Sequence, residues 1–318
     1  MLYFYRFLLL TATFALSANA LANFTQPTES YKWPSQYVRT DQANLRVFVQ
    51  GNGPAVVLIP SYGRDGGDDY NYFTNVLVDA GYLVLRPQPR GVLGSTGPMT
   101  NASLYDLAAD IAQVIDTLAG GRAIVIGHAF GTFMAKVCSV LYPEKIPAIV
   151  VAAPGGVTIP ANIASMPFIA GNTSLPLSQR LSALQTAFFA PGHDPHIWLD
   201  GWYPETLAME RAAIEAYGSL VPHWGGANTT QILEIIPDAD PFQPEDEWNI
   251  TSTWYSDRAT SIVINDASHA LFPEQGQAVV NAVLPFLKLQ IATSYYSLGK
   301  VVIEWLIVFC TLFVYLFP

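Results

Sequence analysis

The segment Gly127-His128-Ala129-Phe130-Gly131 constrains the fold of this 318-residue chain more than any other stretch. It follows an apolar, strand-like run at 122–126 (RAIVI) and opens a helical stretch at 132–142. A strand that becomes a helix within so few residues must bend sharply, and side chains flanking the bend would collide. Glycines on both sides of Ala129 remove those side chains. Around this turn, short apolar runs alternate with helical stretches. Residues 45–50 (LRVFVQ), 51–54 (GNGP) and 55–60 (AVVLIP) give a hairpin signal. The run at 82–87 follows a helical segment starting near Asp69, and 122–126 follows a helix over 104–119. Three more runs lie at 146–152, 231–236 and 260–264. The alternation predicts an α/β protein with a mostly parallel sheet covered by helices on both faces.

Further wording accompanies the turn in a fixed order: Pro89-Arg90-Gly91 with Gly94-Ser95, then Tyr142-Pro143-Glu144 before the run at 149–152. With these, residues 40–290 resemble the α/β-hydrolase superfamily, whose sheet carries helices on both faces and an inserted helical lid. The resemblance makes the turn a nucleophile elbow, normally G-x-S-x-G. Here the nucleophile position holds Ala129, which has no oxygen to attack with. It also implies an acid after the strand that follows the lid, and a histidine after the last strand. The exit Pro237-Asp238-Ala239-Asp240-Pro241 supplies Asp240, with Asp238 as runner-up; an Asx turn is the plain alternative. The loop after 261–264 supplies His269 as the catalytic histidine, while His128 points inward as a structural residue. Oxyanion donors are implied at the backbone N–H of Phe130 and in the loop 60–63, with Tyr62 as the second donor. Ser61 on that loop is a substitute hydroxyl if its oxygen faces His269. No cofactor is implied. The pair His193 and His196 is interrupted by Pro195 and lacks a third ligand, so no metal is expected. Asp65, Asp68 and Asp69 are expected to serve the start of the next helix.

Length and a 51% hydrophobic composition allow one large domain with room for an insertion. A net charge of −10 without a basic cluster excludes a nucleic-acid binder. Residues 1–22 read as a secretory signal, with Arg6 before an apolar core and Ala20-Leu21-Ala22 at the cleavage site; an uncleaved anchor is the alternative. N-x-S/T sequons at Asn23, Asn101, Asn172, Asn228 and Asn249 agree with passage through a glycosylating secretory pathway. The hydrolase body is expected at 23–154 and 231–290, with the lid at 155–230, where the chain leaves the strand–helix rhythm and becomes rich in aromatics. Residues 291–318 end in an apolar run from Val301. Ala292-Thr293-Ser294 with the tail from Trp305 fits a glycolipid-attachment signal. A spanning helix containing Glu304 and a tail packed on protein are the other readings. Membrane association, at the cell surface or outside the cell, is the expectation common to the first two.

Two functions follow. With Ala129 in place, acyl-serine chemistry is excluded. His269, oriented by Asp240, can still act as a base on water or on an acidic C–H or O–H of a small apolar substrate, as in activated-water hydrolysis, lyase cleavage or cofactor-free oxygenation. Alternatively the body holds an apolar ligand or partner without turnover.

Overall fold

The computed structural model describes residues 33–218 and 223–316, and side chains up to residue 293. Residues 1–22, expected as a leader, Asn23 and the side chains of 301–318 lie outside the described residues. Among the described residues eight strands form one sheet in the order β1-β2-β4-β3-β5-β6-β7-β8. These are β1 (Ser35–Arg39), β2 (Asn44–Gln50), β3 (Ala55–Ile59), β4 (Leu83–Pro87), β5 (Ile124–His128), β6 (Ala148–Ala152), β7 (Gln231–Pro237) and β8 (Ala259–Ile264). From β4 through β8 every pairing is parallel, and β1 and β2 add an antiparallel edge.

The expected hairpin between 45–50 and 55–60 does not form. β4 lies between the two strands, antiparallel to β2 and parallel to β3. The glycines of 51–54 serve a close approach instead: a Cβ on Gly51 would meet the Tyr82 carbonyl oxygen at 2.2 Å, and one on Gly53 the Gly81 oxygen at 2.3 Å. Glycine at a turn therefore marked backbone crossing backbone. The short edge strand β1 was not anticipated.

Alternate residues of each central strand face opposite sides, so nearly continuous apolar runs bury both faces. On one face Val57, Ile59, Leu85, Val125 and Val151 pack against helices α2 (Leu104–Leu118) and α3 (Phe130–Leu141). On the other, Leu58, Val84, Ile126, Val150 and Ile235 pack against α1 (Asn71–Asp79) and the first turns of the C-terminal helix. The start of α2 is fixed by a capping box in which Ser103 and Asp106 exchange backbone N–H bonds.

Between β6 and β7 the chain forms the lid, whose α-helices among the described residues are α4 (Ala161–Ala164), α5 (Met166–Ala170), α6 (Leu177–Ala187) and α7 (Pro204–Tyr217). Its own apolar core joins Leu184, Phe188, Phe189 and Trp198 to Phe242 and Ala270 of the body. A short helix α8 (Ile250–Trp254) precedes β8, and α9 (Leu271–Leu316) closes the chain. The helix expected over 274–288 thus continues further, because no glycine or second proline interrupts 289–298. It leaves helical geometry locally at Gln275. Among the described residues no helix is long and apolar enough to cross a membrane.

Candidate active site at the strand-to-helix turn

Ala129 sits at the apex between β5 and α3, buried, with φ 50° and ψ −110°. A side chain rarely accepts that backbone, which costs on the order of 1–3 kcal/mol and persists only where neighbours enforce it. The neighbours are visible. A Cβ on Gly127 would lie 2.0 Å from the Gly131 oxygen, and one on Gly131 would lie 2.4 Å from the Ile59 oxygen. The Ala129 N–H donates to the Ala152 carbonyl, and its own carbonyl accepts from the Thr132 hydroxyl at 2.7 Å.

Two loops meet this turn. The loop after β8 carries His269, whose Nδ1 lies 2.9 Å from Asp240 Oδ2 on the loop after β7. Because the carboxylate can only accept, Nδ1 carries a proton, and in the neutral imidazole the lone pair then lies on Nε2. The other Asp240 oxygen accepts the Phe242 N–H at 2.9 Å. Both side chains are buried, and the rings of Phe242 and Phe188 lie against the imidazole, with centroids at 4.2 and 5.7 Å. No hydrogen bond engages Nε2 among the described residues. Asp238, the runner-up acid, accepts the Ala267 N–H instead and so steadies the same loop.

The loop 60–63 approaches from the opposite flank. The Ser61 N–H donates to Tyr70 Oη at 3.0 Å, Tyr70 Oη–H donates to His128 Nδ1 at 2.8 Å, and His128 Nε2–H donates to the His269 carbonyl at 2.8 Å. A backbone N–H only donates and a carbonyl only accepts, so every proton in this chain has a fixed place. His128 is therefore neutral and inward-facing; burial, reinforced by the nearby His269, lowers its pKa to about 3. The chain spans the loop 60–63, the turn and the His269 loop without meeting solvent. Ser61 makes no hydrogen bond to His269 among the described residues. Phe130, as the first residue of α3, has no intrahelical acceptor for its N–H. Tyr62 stacks its ring on that of Phe130 at 5.5 Å, and its buried hydroxyl has no hydrogen-bond partner among the described residues.

The lid closes over this arrangement and leaves Ala129 and His269 only 4% and 7% exposed. Two lid regions grip the two flanks. Near the imidazole, the Ala270 N–H donates to the Phe188 carbonyl, and Glu274 accepts both the Ser268 and Ala190 N–H groups, all at 2.7 Å. Near the other loop, α7 and the segment before it hold residues 63–69. Arg64 stacks on Trp198 at 4.2 Å and pairs with Asp69, which also accepts the Trp198 Nε1–H. Asp65 accepts the Tyr203 hydroxyl. Of the three acidic residues expected to serve the next helix, Asp65 and Asp69 thus tie the body to the lid, while Asp68 accepts from the Asn71 side chain. His193 and His196 diverge to Asp266 and Asp194.

Sequence reasoning missed Tyr70, Glu210 and the bridging role of Glu274. For Glu210 a signal existed: it shares an apolar stripe of α7 with Leu207 and Ala213, where a charged residue is anomalous. Tyr70 and Glu274 sit at ordinary helix-start positions with no distinguishing pattern.

Comparison with known proteins fits this geometry. Residues 54–195 match the family described as alpha/beta hydrolase fold. The chain is 30% identical over 115 residues to Epoxide hydrolase A of Mycobacterium tuberculosis, covering 35% of this chain and 36% of that protein. It is 32% identical over 141 residues to a 2-hydroxy-6-oxononadienedioate/2-hydroxy-6-oxononatrienedioate hydrolase of Burkholderia vietnamiensis, covering 42% of this chain and 49% of the relative. These matches span less than half of either relative's length. In three dimensions it is similar to a thermophilic esterase from Thermogutta terrifontis, with a TM-score of 0.67 at 16% identity, over 81% of this chain and 99% of that one. Sheet order, turn and lid together give the conclusion that the chain has the α/β-hydrolase fold.

Proposed function

We propose that this protein is a hydrolase-fold enzyme that works without an acyl-serine step, using His269 as a general base oriented by Asp240. The observation that carries the reading is the buried His269–Asp240 pair, with Nε2 unengaged, on the loop beside a turn whose apex residue is Ala129. In the hydrolytic form, Nε2 takes a proton from water while the water oxygen bonds to an electrophilic carbon. The bond from that carbon to its leaving group breaks, and the leaving atom takes the proton back from the imidazolium. The N–H groups of Phe130 and Tyr62 hold the negative charge that develops. Aromatic walls at Phe188 and Phe242 favour a small, largely apolar substrate. The names of the relatives suggest where to start: epoxides, and 2-hydroxy-6-oxo dienoic acids.

The test is product formation by the full chain from those two substrate classes, compared with His269→Ala. Turnover that disappears in the variant is expected; turnover unchanged in the variant overturns the reading. The enclosure of Ala129 and His269 favours a second reading, a body that holds an apolar ligand without converting it. Thermal stabilisation by a ligand with no product formed supports that alternative. On either reading the protein works in the secretory pathway or at the cell surface, attached through its C-terminal tail. The exposure of Asn101, Asn172, Asn228 and Asn249 supports glycosylation there, and a shift in mass on glycosidase treatment of protein from a secreting cell tests it.

A further inference from the structure

Gly63, next to the proposed second oxyanion donor, is held by the lid on three sides. Its N–H donates to Glu210 Oε2 at 2.7 Å, and its carbonyl accepts the Tyr203 N–H at 2.9 Å. Its φ of +63° lies in the left-handed region, and a Cβ there would meet Leu207 Cβ at 2.8 Å. Tyr203 precedes α7 and the other two side chains lie on it, so the loop and the lid helix form one packed unit. Glu210 is 1% exposed. It also lines a cavity of about 40 Å³ shared with Pro60 and Phe130, the two segments that carry the proposed oxyanion donors. A carboxyl buried in such a place is unfavourable unless its oxygens are hydrogen-bonded. The peptide it engages directly follows Tyr62.

We propose that Glu210 is a positioning residue that fixes the Tyr62–Gly63 backbone from the lid, so that the oxyanion site exists only while α7 is docked. This rests on the proposed placement of the oxyanion donors. The Glu210 oxygen accepts the Gly63 N–H and so fixes the plane of the Tyr62–Gly63 peptide. Restricting that plane restricts the direction of the preceding N–H, which belongs to Tyr62. Burial raises the Glu210 pKa to about 8, so at neutral pH the group is mostly the uncharged acid and engages Gly63 through its carbonyl-type oxygen. Its titratable neighbours are Tyr62 on the loop and, across the cavity, Arg90 with Asp110, which are paired to each other at 2.8 Å. A neutral amide is therefore the faithful substitute, whereas an aliphatic side chain of similar size is not.

The experiment is amide hydrogen exchange on the full chain, wild type against Glu210→Gln and Glu210→Leu, read at Tyr62, Gly63 and, as an internal control, β5. In the Leu variant, exchange at Tyr62 and Gly63 should accelerate tenfold or more while β5 stays protected; the Gln variant should keep wild-type protection. Wild-type protection in both variants overturns the proposal, as does equal loss in both. If the Leu variant does not fold, the wild-type Gly63 amide resonance decides: it should shift between pH 6 and pH 9, and a flat response overturns the proposal. These readings need no turnover, so they stand apart from the activity test. Where a substrate is turned over, Glu210→Leu should lower kcat tenfold or more with KM unchanged, and Glu210→Gln should restore it; a change in KM alone counts against positioning.

Discussion

The two flanks of the Ala129 turn are both held by glutamates that accept backbone N–H groups, yet the physics differs. On the imidazole flank Glu274 receives two donors, Ser268 and Ala190, and has His193 nearby, so burial raises its pKa but these contacts oppose the rise. On the flank of the proposed oxyanion donors Glu210 receives one donor and, among the described residues, no cationic partner, and its pKa rises to about 8. On one flank two backbone donors and a histidine counter the effect of burial; on the other a single donor does, and the carboxyl stays mostly uncharged at neutral pH. Between them, the Tyr70–His128 chain links the flanks with neutral groups only. The lesson is that an identical contact, carboxyl to amide, leaves burial more or less opposed according to how many donors the carboxyl meets.

Four changes would break or sharpen that contrast. The largest effect belongs to His269→Ala, which should lower turnover by about 10²–10⁴-fold if the chemistry resides on the imidazole flank, as steady-state rates would show. Glu274→Ala removes an acceptor shared by two backbone donors and should cost about 3 kcal/mol in urea unfolding; a cost below about 1 kcal/mol would erase the distinction between the flanks.

The next effect depends on pH. Glu210 holds its proton in the folded state up to about pH 8 but releases it near 4.5 when unfolded, so its contribution to stability falls as pH rises through that window. The slope is at most about 1.4 kcal/mol per pH unit. His128 has the opposite sign: folded it stays neutral down to about pH 3, while the unfolded ring protonates near 6.5, so stability falls as pH drops from 6.5 to 3. From these two groups, urea midpoints should plateau between about pH 4.5 and 6.5. Glu210→Gln should remove the alkaline decline and turn the plateau into a rise that ends near pH 6.5, the part that His128 contributes; an unchanged decline would show that Glu210 is charged at neutral pH after all. The smallest effect is Tyr70→Phe, which leaves the Ser61 N–H and His128 Nδ1 without their partner and should cost about 1–2 kcal/mol. A scan finding no loss would mean that water replaces the hydroxyl.

Much of the body was legible before the structure. Local period and turn chemistry placed β3 through β8 to within a few residues, and the two glycines flanking Ala129 are sterically required, as the sharp bend implied. The order Asp240 then His269 also led to the pair that hydrogen bonds. What failed was pairing. The 51–54 glycines signalled a hairpin because a turn signal is local, whereas the choice of β4 as neighbour depends on long-range contacts. Likewise the aspartates at 65 and 69 looked like helix-start residues because their lid partners, Tyr203 and Trp198, lie more than a hundred positions away.

The sequence alone determined the α/β layering, the bend at Ala129 and the absence of an oxygen on that residue, since all three follow from residue type and near-neighbour spacing. Only the tertiary structure decided how far burial raises Glu210 and Glu274, which nitrogen of His128 and of His269 donates to its partner, and how the lid grips the loops beneath it. Those properties depend on burial and on donors brought from distant segments, and neither is encoded in any local stretch of the chain.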